Sequence, residues 1–399
     1  MRVLNDLLCA TDGGNLVLVL LLDLSAAFDT IDHRLLLSRL HEEVGVTELA
    51  HCWFSSYLSD RSQSVNVGDS KSVSSKLLCG VPQGSVLGPI LFSLYTSQLG
   101  RIIDMHGLSR HHFADDSQLY KTMRPDPAAV QSALQTLQRC SSDIKSWMLR
   151  NKLKLNDAKS EAVLCGSRQN RSKVQVKSLQ VADAEVPLSE SVRDLGVLID
   201  HDLSMNNHIS AVVKTCFYYL RLLRKLRPVI NQETANTIAV SLVHSRLDYC
   251  NSLLYGLPDR QTKRLQRIQN VAARIVTCTH KSDHITPILK QLNWLPVNLR
   301  IEHKLLSIVY SSLSATTASP QYLSELTTTY TPVRSLRSAS QSRLEIPGYH
   351  ENTRKKSYGA RSFKCAAPLL WNALPDHLKS SSTIESFRRR LKTHLFSSF

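Results

Sequence analysis

An unbroken run of apolar positions, Leu16 to Leu22, lies near the start of the chain and ends at Asp23. A run of this length, bounded by a charge, predicts a strand buried on both faces and is too short to span a membrane. A carboxylate at the end of a buried strand is costly unless a cation or metal ion balances it. We therefore expect a positive partner close to Asp23.

Apolar positions recur with helical spacing on both sides of a second acidic segment. This spacing predicts helices over about 33–43, 89–99 and 127–151. Asp115 and Asp116 of the segment FADD lie between two short strand-like pieces, which predicts a hairpin tip. The order strand, helix, two strands, helix, strand predicts an α+β fold built on a split βαβ antiparallel sheet.

Two other regions have patterns of their own. Residues 52–78 alternate between apolar and polar positions, as in a hairpin that turns at Gly68 and Asp69. Beyond residue 200 the spacing is helical, and helices are expected over residues 208–227, 233–248, 260–277 and 298–314.

Charge is distributed unevenly along the chain. Residues 201–399 hold 28 Lys and Arg against 11 Asp and Glu, a surplus of 17 that accounts for the whole net charge of +16. A near-neutral half that retains its acids, followed by a basic half, indicates a polyanionic partner such as nucleic acid. A generic solvated basic surface is the alternative that charge alone leaves open.

Composition and cysteine usage narrow the class of protein. With 42% hydrophobic and 21% charged residues, the chain has the composition of a folded globular protein. Nine scattered cysteines without a C-x-x-C pair or zinc-type spacing indicate a reducing compartment. The N-terminus lacks the apolar core of a signal peptide, and no apolar run approaches 20 residues. We expect a soluble protein of the cytoplasm or nucleus, neither secreted nor bound to a membrane.

Three motifs carry a resemblance to a known family. They are DLSAAFDTIDH from Asp23, GVPQGSVLGPILF from Gly80, and FADD. In this order and spacing the chain resembles the reverse transcriptases of non-LTR (LINE-type) retrotransposons, and LKLNDAKSE and RDLGVLID extend the match. The resemblance implies a polymerase palm over 1–166, a thumb-like helical region over 167–315 and a basic C-terminal domain over 316–399.

The resemblance implies a two-metal site made of the three acids. Asp23 and Asp115 would bridge two Mg²⁺ ions, for which Mn²⁺ can substitute, and Asp116 would be a weaker third ligand. Taken alone, Asp115 and Asp116 would be ordinary turn residues and Asp23 an acid that caps a turn. Lys159 would neutralise or protonate the leaving pyrophosphate, although a solvated surface lysine is the simpler alternative.

Three further residues are implied to bind the nucleotide. Phe28 would lie against the sugar and exclude a 2′-hydroxyl, which favours dNTPs, while a core phenylalanine is an equally good interpretation. Gln83 would hydrogen-bond the nucleotide or template, and Gly84 would let the backbone approach it closely.

The resemblance also implies contacts to the template and primer. Leu195 and Gly196 match the arm that positions the primer end. Cations at spacings of three and four suit the phosphates of an A-form hybrid, and the residues expected to contact it are Arg221, Arg224, Lys225, Arg227, Lys263, Arg264 and Arg267. A charge run on a helix is more often a solvated face, so this set is an expectation about the region.

The expected function is that of an RNA-directed DNA polymerase whose partners are an RNA template, a DNA primer and dNTPs. Since only 22 residues precede Asp23, the family's fingers and endonuclease regions are expected to be missing. This leaves open a catalytically inactive, nucleic-acid-binding remnant of a truncated element. An RNA-dependent RNA polymerase is disfavoured by Phe28 and by FADD in place of G-D-D. The sequence does not indicate an oligomeric state.

Overall fold

The computed structural model describes residues 1–156, 159–314, 319–331, 343–347 and 358–399. Backbone contacts divide the chain into two units. The sheet unit is Gly14–Leu195, and the helical unit is Met1–Gly13 together with Gly196–Phe399. The three domain ranges expected from the sequence are not tested by this division and stay a prediction. No helix among the described residues is long and apolar enough to cross a membrane.

Helix α1 (Arg2–Asp12) belongs to the helical unit, and the remaining elements up to residue 195 form the sheet unit. The strands of the sheet unit are β1 (Leu16–Leu22), β2 (Arg61–Gln63), β3 (Asn66–Val67), β4 (Ser70–Lys71), β5 (Ser75–Leu77), β6 (Ser109–Phe113), β7 (Asp116–Met123), β8 (Glu161–Cys165), β9 (Ser178–Val181), β10 (Ala184–Pro187) and β11 (Ser191–Asp194). Its helices are α2 (His33–Glu42), α3 (Glu48–Leu58), α4 (Leu87–Tyr95), α5 (Ser97–Met105), α6 (Pro127–Arg150) and α7 (Arg168–Arg171).

The main sheet has four antiparallel strands in the order β6-β7-β1-β8. The apolar strand β1 lies between two neighbours, so both of its edges are paired. In register, Leu22 lies opposite Ser117 of β7, and Val17 lies opposite Cys165 of β8. The predicted α+β class and the order strand, helix, hairpin, helix, strand are therefore confirmed.

The prediction for residues 52–78 is confirmed in part. Strands β3 and β4 pair through Val67 and Ser70, with the turn at Gly68 and Asp69 as expected. The alternation predicted from residue 52 is wrong at its start, because residues 52–58 belong to α3. There Trp53 stacks on Tyr57 with ring centroids 5.2 Å apart, which is the contact of positions i and i+4 on a helix.

The core of the sheet unit forms where the helices cover one face of the sheet. Tyr95 and Phe92 of α4 are almost fully buried, as are Leu36 of α2 and Leu137 of α6. The Tyr95 hydroxyl donates to the backbone carbonyl of Asn151 at 2.6 Å. This hydrogen bond satisfies the polar end of a buried ring and ties α4 to the end of α6.

The helical unit contains β12 (Val197–Asp200) and ten further helices. These are α8 (Asn206–Leu226), α9 (Gln232–Ala239), α10 (Ser245–Asp248), α11 (Asp259–Thr277), α12 (Ile285–Gln291), α13 (Val297–Leu313), α14 (Gln321–Ser324), α15 (Phe363–Asn372), α16 (Asp376–Lys379) and α17 (Ile384–Ser397) among the described residues. A π-helical turn, Val240–His244, joins α9 to α10. The four predicted helices match α8, the segment from α9 to α10, α11 and α13.

Candidate active site

Strand pairing brings two of the predicted acids together. Asp23 follows directly after Leu22 at the end of β1, and Asp116 is the first residue of β7. Leu22 lies opposite Ser117 in this antiparallel pair. Asp23, which follows Leu22, therefore lies beside Asp116, which precedes Ser117. The structure thus joins acids that are far apart in the chain.

Asn156 holds the Asp23 carboxylate in place. The Nδ2 atom of Asn156 donates to Oδ2 of Asp23 at 3.0 Å, and its backbone N–H donates to the Asp23 carbonyl at 2.9 Å. Asn156 lies in the LKLNDAKSE motif, of which positions 157 and 158 lie outside the described residues. This contact gives the motif a direct link to the candidate site.

The hairpin tip predicted at FADD is present. Phe113 pairs with Asp116, which leaves Ala114 and Asp115 as a two-residue loop. Ala114 has a φ of +52°, a conformation that costs an L residue about 1 kcal/mol or more. Partial burial, and then the charges of Asp115 and Asp23, raise the pKa of Asp116 above its usual value, although the residue remains exposed.

A cavity of about 430 Å³ opens beside these acids. Asp23, Asp116 and Lys159 line it, whereas Asp115 does not. Within the part of the chain that the structure describes, no three His, Cys, Asp or Glu side chains are gathered as a metal site. The donor set still fits Mg²⁺, which is usually held by one or two carboxylates and completes its shell with water and phosphate oxygens.

Two further carboxylates that line this cavity, Glu161 and Asp194, were not predicted from the sequence. Asp194, just before Leu195 in RDLGVLID, lines the cavity and accepts a hydrogen bond from Nε2 of Gln118. Burial, and then the charge of Asp116, raises the pKa of Asp194 to about 6. Gln118 is 1% exposed, and its Oε1 has no partner among the described residues. The only signal for Asp194 in the sequence was its position next to Leu195, which the resemblance assigns to the primer arm.

The Gly-rich loop packs against the segment that follows Asp23. Gly80 donates from its N–H to the carbonyl of Ile31 at 2.8 Å, and its own carbonyl accepts from Nε2 of His33 at 2.8 Å. A Cβ on Gly80 would lie 2.9 Å from the carbonyl oxygen of Asp29, and its φ is +88°. Only glycine fits this position without a shift of the backbone.

The predicted nucleotide contacts lie near this loop, outside the cavity lining. The Gln83 side chain is exposed and donates from Nε2 to Oδ1 of Asp29 at 2.8 Å. Gly84 has a φ of +78° and open space around it. Phe28 is partly buried with its ring centroid 5.1 Å from that of Phe92, which is the contact of a core residue. Their roles toward a nucleotide stay a prediction.

The two residues assigned to the primer arm form a tight turn. Leu195 and Gly196 have φ values of +44° and +81°. Leu195 lines the cavity beside Asp23. A Cβ on Gly196 would lie 3.4 Å from the ring of Tyr249, within the helical unit. Their contact with a primer stays a prediction.

Five of the seven predicted cations lie around one cavity of the helical unit. These are Arg221, Arg224, Arg227, Lys263 and Arg267. Lys225 is exposed but lies outside the cavity lining, as does Arg264, which donates to Gln261 and to Ser210. The shared face of α8 and α11 therefore includes most of the predicted set and excludes two members of it.

Comparison with known proteins identifies the family of this chain. Residues 2–199 match the family model described as reverse transcriptase (RNA-dependent DNA polymerase). Residues 2–199 of the chain belong to the reverse transcriptase family. This match covers both segments that supply Asp23 and Asp116, and it confirms the family expected from the motifs.

Relatives of this chain come from transposons of Drosophila melanogaster. The probable RNA-directed DNA polymerase of transposon X-element is 28% identical over 284 residues, and that of transposon BS is 26% identical over 298. Each alignment covers 69% of this chain and 30% of the relative. The chain thus spans about a third of the length of these proteins, which support the LINE-type assignment.

Among solved structures, apo telomerase from Candida tropicalis aligns with this chain at a TM-score of 0.39 and 12% identity. The alignment covers 81% of this chain and 55% of the telomerase chain.

Proposed function

We propose that this chain carries the polymerase site of an RNA-directed DNA polymerase of a non-LTR retrotransposon. Its reaction would join dNTPs to the 3′-hydroxyl of a DNA primer on an RNA template. The observation that carries the proposal is the pairing of β1 with β7, which brings Asp23 beside Asp116 in the lining of one cavity. The family match over residues 2–199 supports the same reaction class.

Asp23 and Asp116 would hold Mg²⁺, with Asp115 next to them at the hairpin tip. The ions, when bound, would activate the 3′-oxygen and neutralise charge on the leaving pyrophosphate. The raised pKa of Asp116 fits this role, because two or three carboxylates close together repel one another until positive charge is supplied. A loaded site should therefore keep all of these acids ionised.

The remaining residues would orient the reactants. Asn156 fixes one oxygen of Asp23 and leaves the other free for a ligand. Lys159, which is exposed and lines the same cavity, would meet the pyrophosphate. Phe28 would select dNTPs from its place at the edge of the core. Because phosphoryl transfer asks little covalent chemistry of a protein, positioning and charge would supply most of its rate.

Primer extension on an RNA template with Mg²⁺ and dNTPs tests this proposal. Extension by the chain should be lost in Asp23→Asn and in Asp116→Asn, which remove a charge without changing side-chain size. Asp69→Asn is the matched control, because Asp69 is an exposed acid at a hairpin turn away from the cavity. Equal extension by all four proteins would reject the assigned acids.

Metal binding gives a second readout that does not require turnover. Mn²⁺ affinity, measured by titration calorimetry, should fall in Asp23→Asn and stay unchanged in Asp69→Asn. Absence of both extension and metal binding, with RNA binding retained, would favour the alternative of a catalytically inactive nucleic-acid-binding protein. Incorporation of ribonucleotides as readily as dNTPs would overturn the role of Phe28.

A further inference from the structure

The cavity between α8 and α11 is large and lies wholly within the helical unit. Its volume is about 1300 Å³, above the roughly 300–1,000 Å³ of pockets that hold one small ligand. Helices α8 and α11 pack on each other, with hydrogen bonds toward both ends of the pair, and both helices contribute cations to the cavity lining. An elongated ligand suits this space better than a compact metabolite.

Helix α8 contributes two cations that no carboxylate neutralises. Arg221 and Arg224 are exposed, one turn apart, and neither forms an ion pair with an acid among the described residues. Arg227, at the end of the same helix, is held differently. Its Nε donates to the carbonyls of Ile275 and Val276 at 3.1 Å, so it joins the two helices.

Helix α11 and the segment after it face these residues with more positive charge. Lys263 and Arg267 are exposed and lie one turn apart, and Arg274 and Lys281 continue the line. No Asp or Glu belongs to the described lining of the cavity. The wall is thus basic on both sides, and a polyanion is the ligand whose charge it complements.

The floor of the cavity is apolar. We use this name for the apolar part of the lining that is less exposed than the cations, which includes Phe217 and Leu220 of α8 and Val271 and Ile275 of α11. A double helix presents phosphates outward and hides the faces of its bases, so it would leave this floor in water. A single strand presents phosphates and base faces together, and base faces stack on aromatic rings and guanidinium groups.

We propose that the groove between α8 and α11 binds a single-stranded stretch of nucleic acid. The phosphates would lie along Arg221, Arg224, Lys263 and Arg267, and at least one base would contact Phe217. An acidic peptide would match the charge but would have no planar group for the floor. The binding does not require the polymerase reaction, so it can hold even if the proposed catalysis fails.

The test is binding of fluorescein-labelled oligonucleotides of about 12 nucleotides to the full chain, followed by anisotropy at several salt concentrations. The probes are single-stranded RNA, single-stranded DNA of the same sequence, and the RNA–DNA hybrid. We expect both single strands to bind more tightly than the hybrid. The single strands should bind with similar affinity to each other, because stacking and phosphate contacts do not read the 2′-hydroxyl.

Two charge-matched variants separate the groove from general basicity. The groove variant replaces Arg221, Arg224, Lys263 and Arg267 by Gln. The control replaces four exposed cations that do not line the cavity, Lys214, Lys304, Arg388 and Arg389, by Gln. The groove variant should lose tenfold or more in single-strand affinity, with a salt slope smaller by about 3, since each lost phosphate contact contributes about 0.7. The control should change both quantities much less.

Phe217→Leu removes the aromatic ring from the floor but keeps an apolar side chain there. It should weaken single-strand binding by roughly fivefold or more while leaving the salt slope and the hybrid affinity unchanged. Circular dichroism and thermal unfolding of every variant check that the fold is kept. Three results would each overturn the proposal: tighter binding of the hybrid than of the single strands, equal losses in the groove and control variants, or equal competition by polyglutamate.

Discussion

The Nδ2 atom of Asn156 donates to Oδ2 of Asp23 across 3.0 Å, and the backbone of the same asparagine bonds to the Asp23 carbonyl. One residue thus fixes both the carboxylate and the end of its strand. An amide that donates to a carboxylate restrains its rotation without neutralising it. The geometry of the Asp23 carboxylate is therefore set from outside its own strand.

Asn156→Ala should weaken function at the Asp23 site without unfolding the protein. A lost outer contact to a ligating carboxylate typically costs about 10–100-fold in metal affinity or activity, and we expect a loss in this range. Mn²⁺ titration and primer extension measure it. Asn66→Ala, at an exposed position of β3, is the control. A variant at position 156 that matched wild type in both assays would remove the orienting role.

Substitution by alanine should destabilise the protein to different extents at two glycines of the same loop, Gly80 and Gly84. Gly80→Ala would combine a positive φ with a 2.9 Å approach to the Asp29 carbonyl, whereas Gly84→Ala would meet only the positive φ. We expect Gly84→Ala to lower the apparent free energy of unfolding by about 1 kcal/mol. Gly80→Ala should cost roughly 2–3 kcal/mol or more. Urea unfolding of both variants measures this difference, and equal costs would contradict the packing of the loop on Asp29.

Asp194 should make the sheet unit less stable as pH rises from about 4 to 6. Its folded-state pKa of about 6 exceeds the usual 3.8, so the folded state holds the extra proton in that range. The stabilisation is complete below pH 3.8 and is lost as pH rises through 6, by at most roughly 3 kcal/mol. Asp194→Asn should therefore be more stable than wild type at pH 7.5 and similar at low pH.

Urea unfolding at several pH values measures the effect of Asp194, with Asp69→Asn as the control because Asp69 is exposed. A pH profile for Asp194→Asn parallel to that of wild type would contradict the assignment.

His244 should make the helical unit less stable as pH falls, which is the opposite pH dependence to that of Asp194. Burial, and then the charge of Arg300, lowers its pKa to about 3, and its ring lies 4.1 Å from that of Trp294. Below pH 6.5 the unfolded chain binds a proton at His244 that the folded state does not bind. The free energy of unfolding therefore falls as pH drops from 6.5 toward 3. His244→Phe keeps a ring in this site and should reduce the acid sensitivity by up to about 5 kcal/mol.

Thermal unfolding between pH 4 and 7 compares His244→Phe with His377→Gln, a change at an exposed histidine. We expect only the first variant to resist acid better than wild type. The same shift in both would assign the acid sensitivity to the surface.

The parts of the fold that follow from local pattern were predictable, and those that depend on packing were not. The strand before Asp23 and the hairpin at FADD come from neighbouring residues, and both are present. The contact of Gln118 with Asp194 joins positions 76 residues apart, which no local pattern encodes. Likewise, Arg224 and Lys225 are adjacent and chemically alike, but only the packing of α11 on α8 decides which one lines the groove.

The central position of β1 has a consequence for how this protein is made. Its seven apolar residues are synthesised well before β7 and β8, which cover its two edges. Until then the segment has the features of an aggregation-prone strand: apolar, uncharged and free of proline. The strand that ends at Asp23 is thus a segment for a chaperone to protect in the nascent chain until Cys165 has been added.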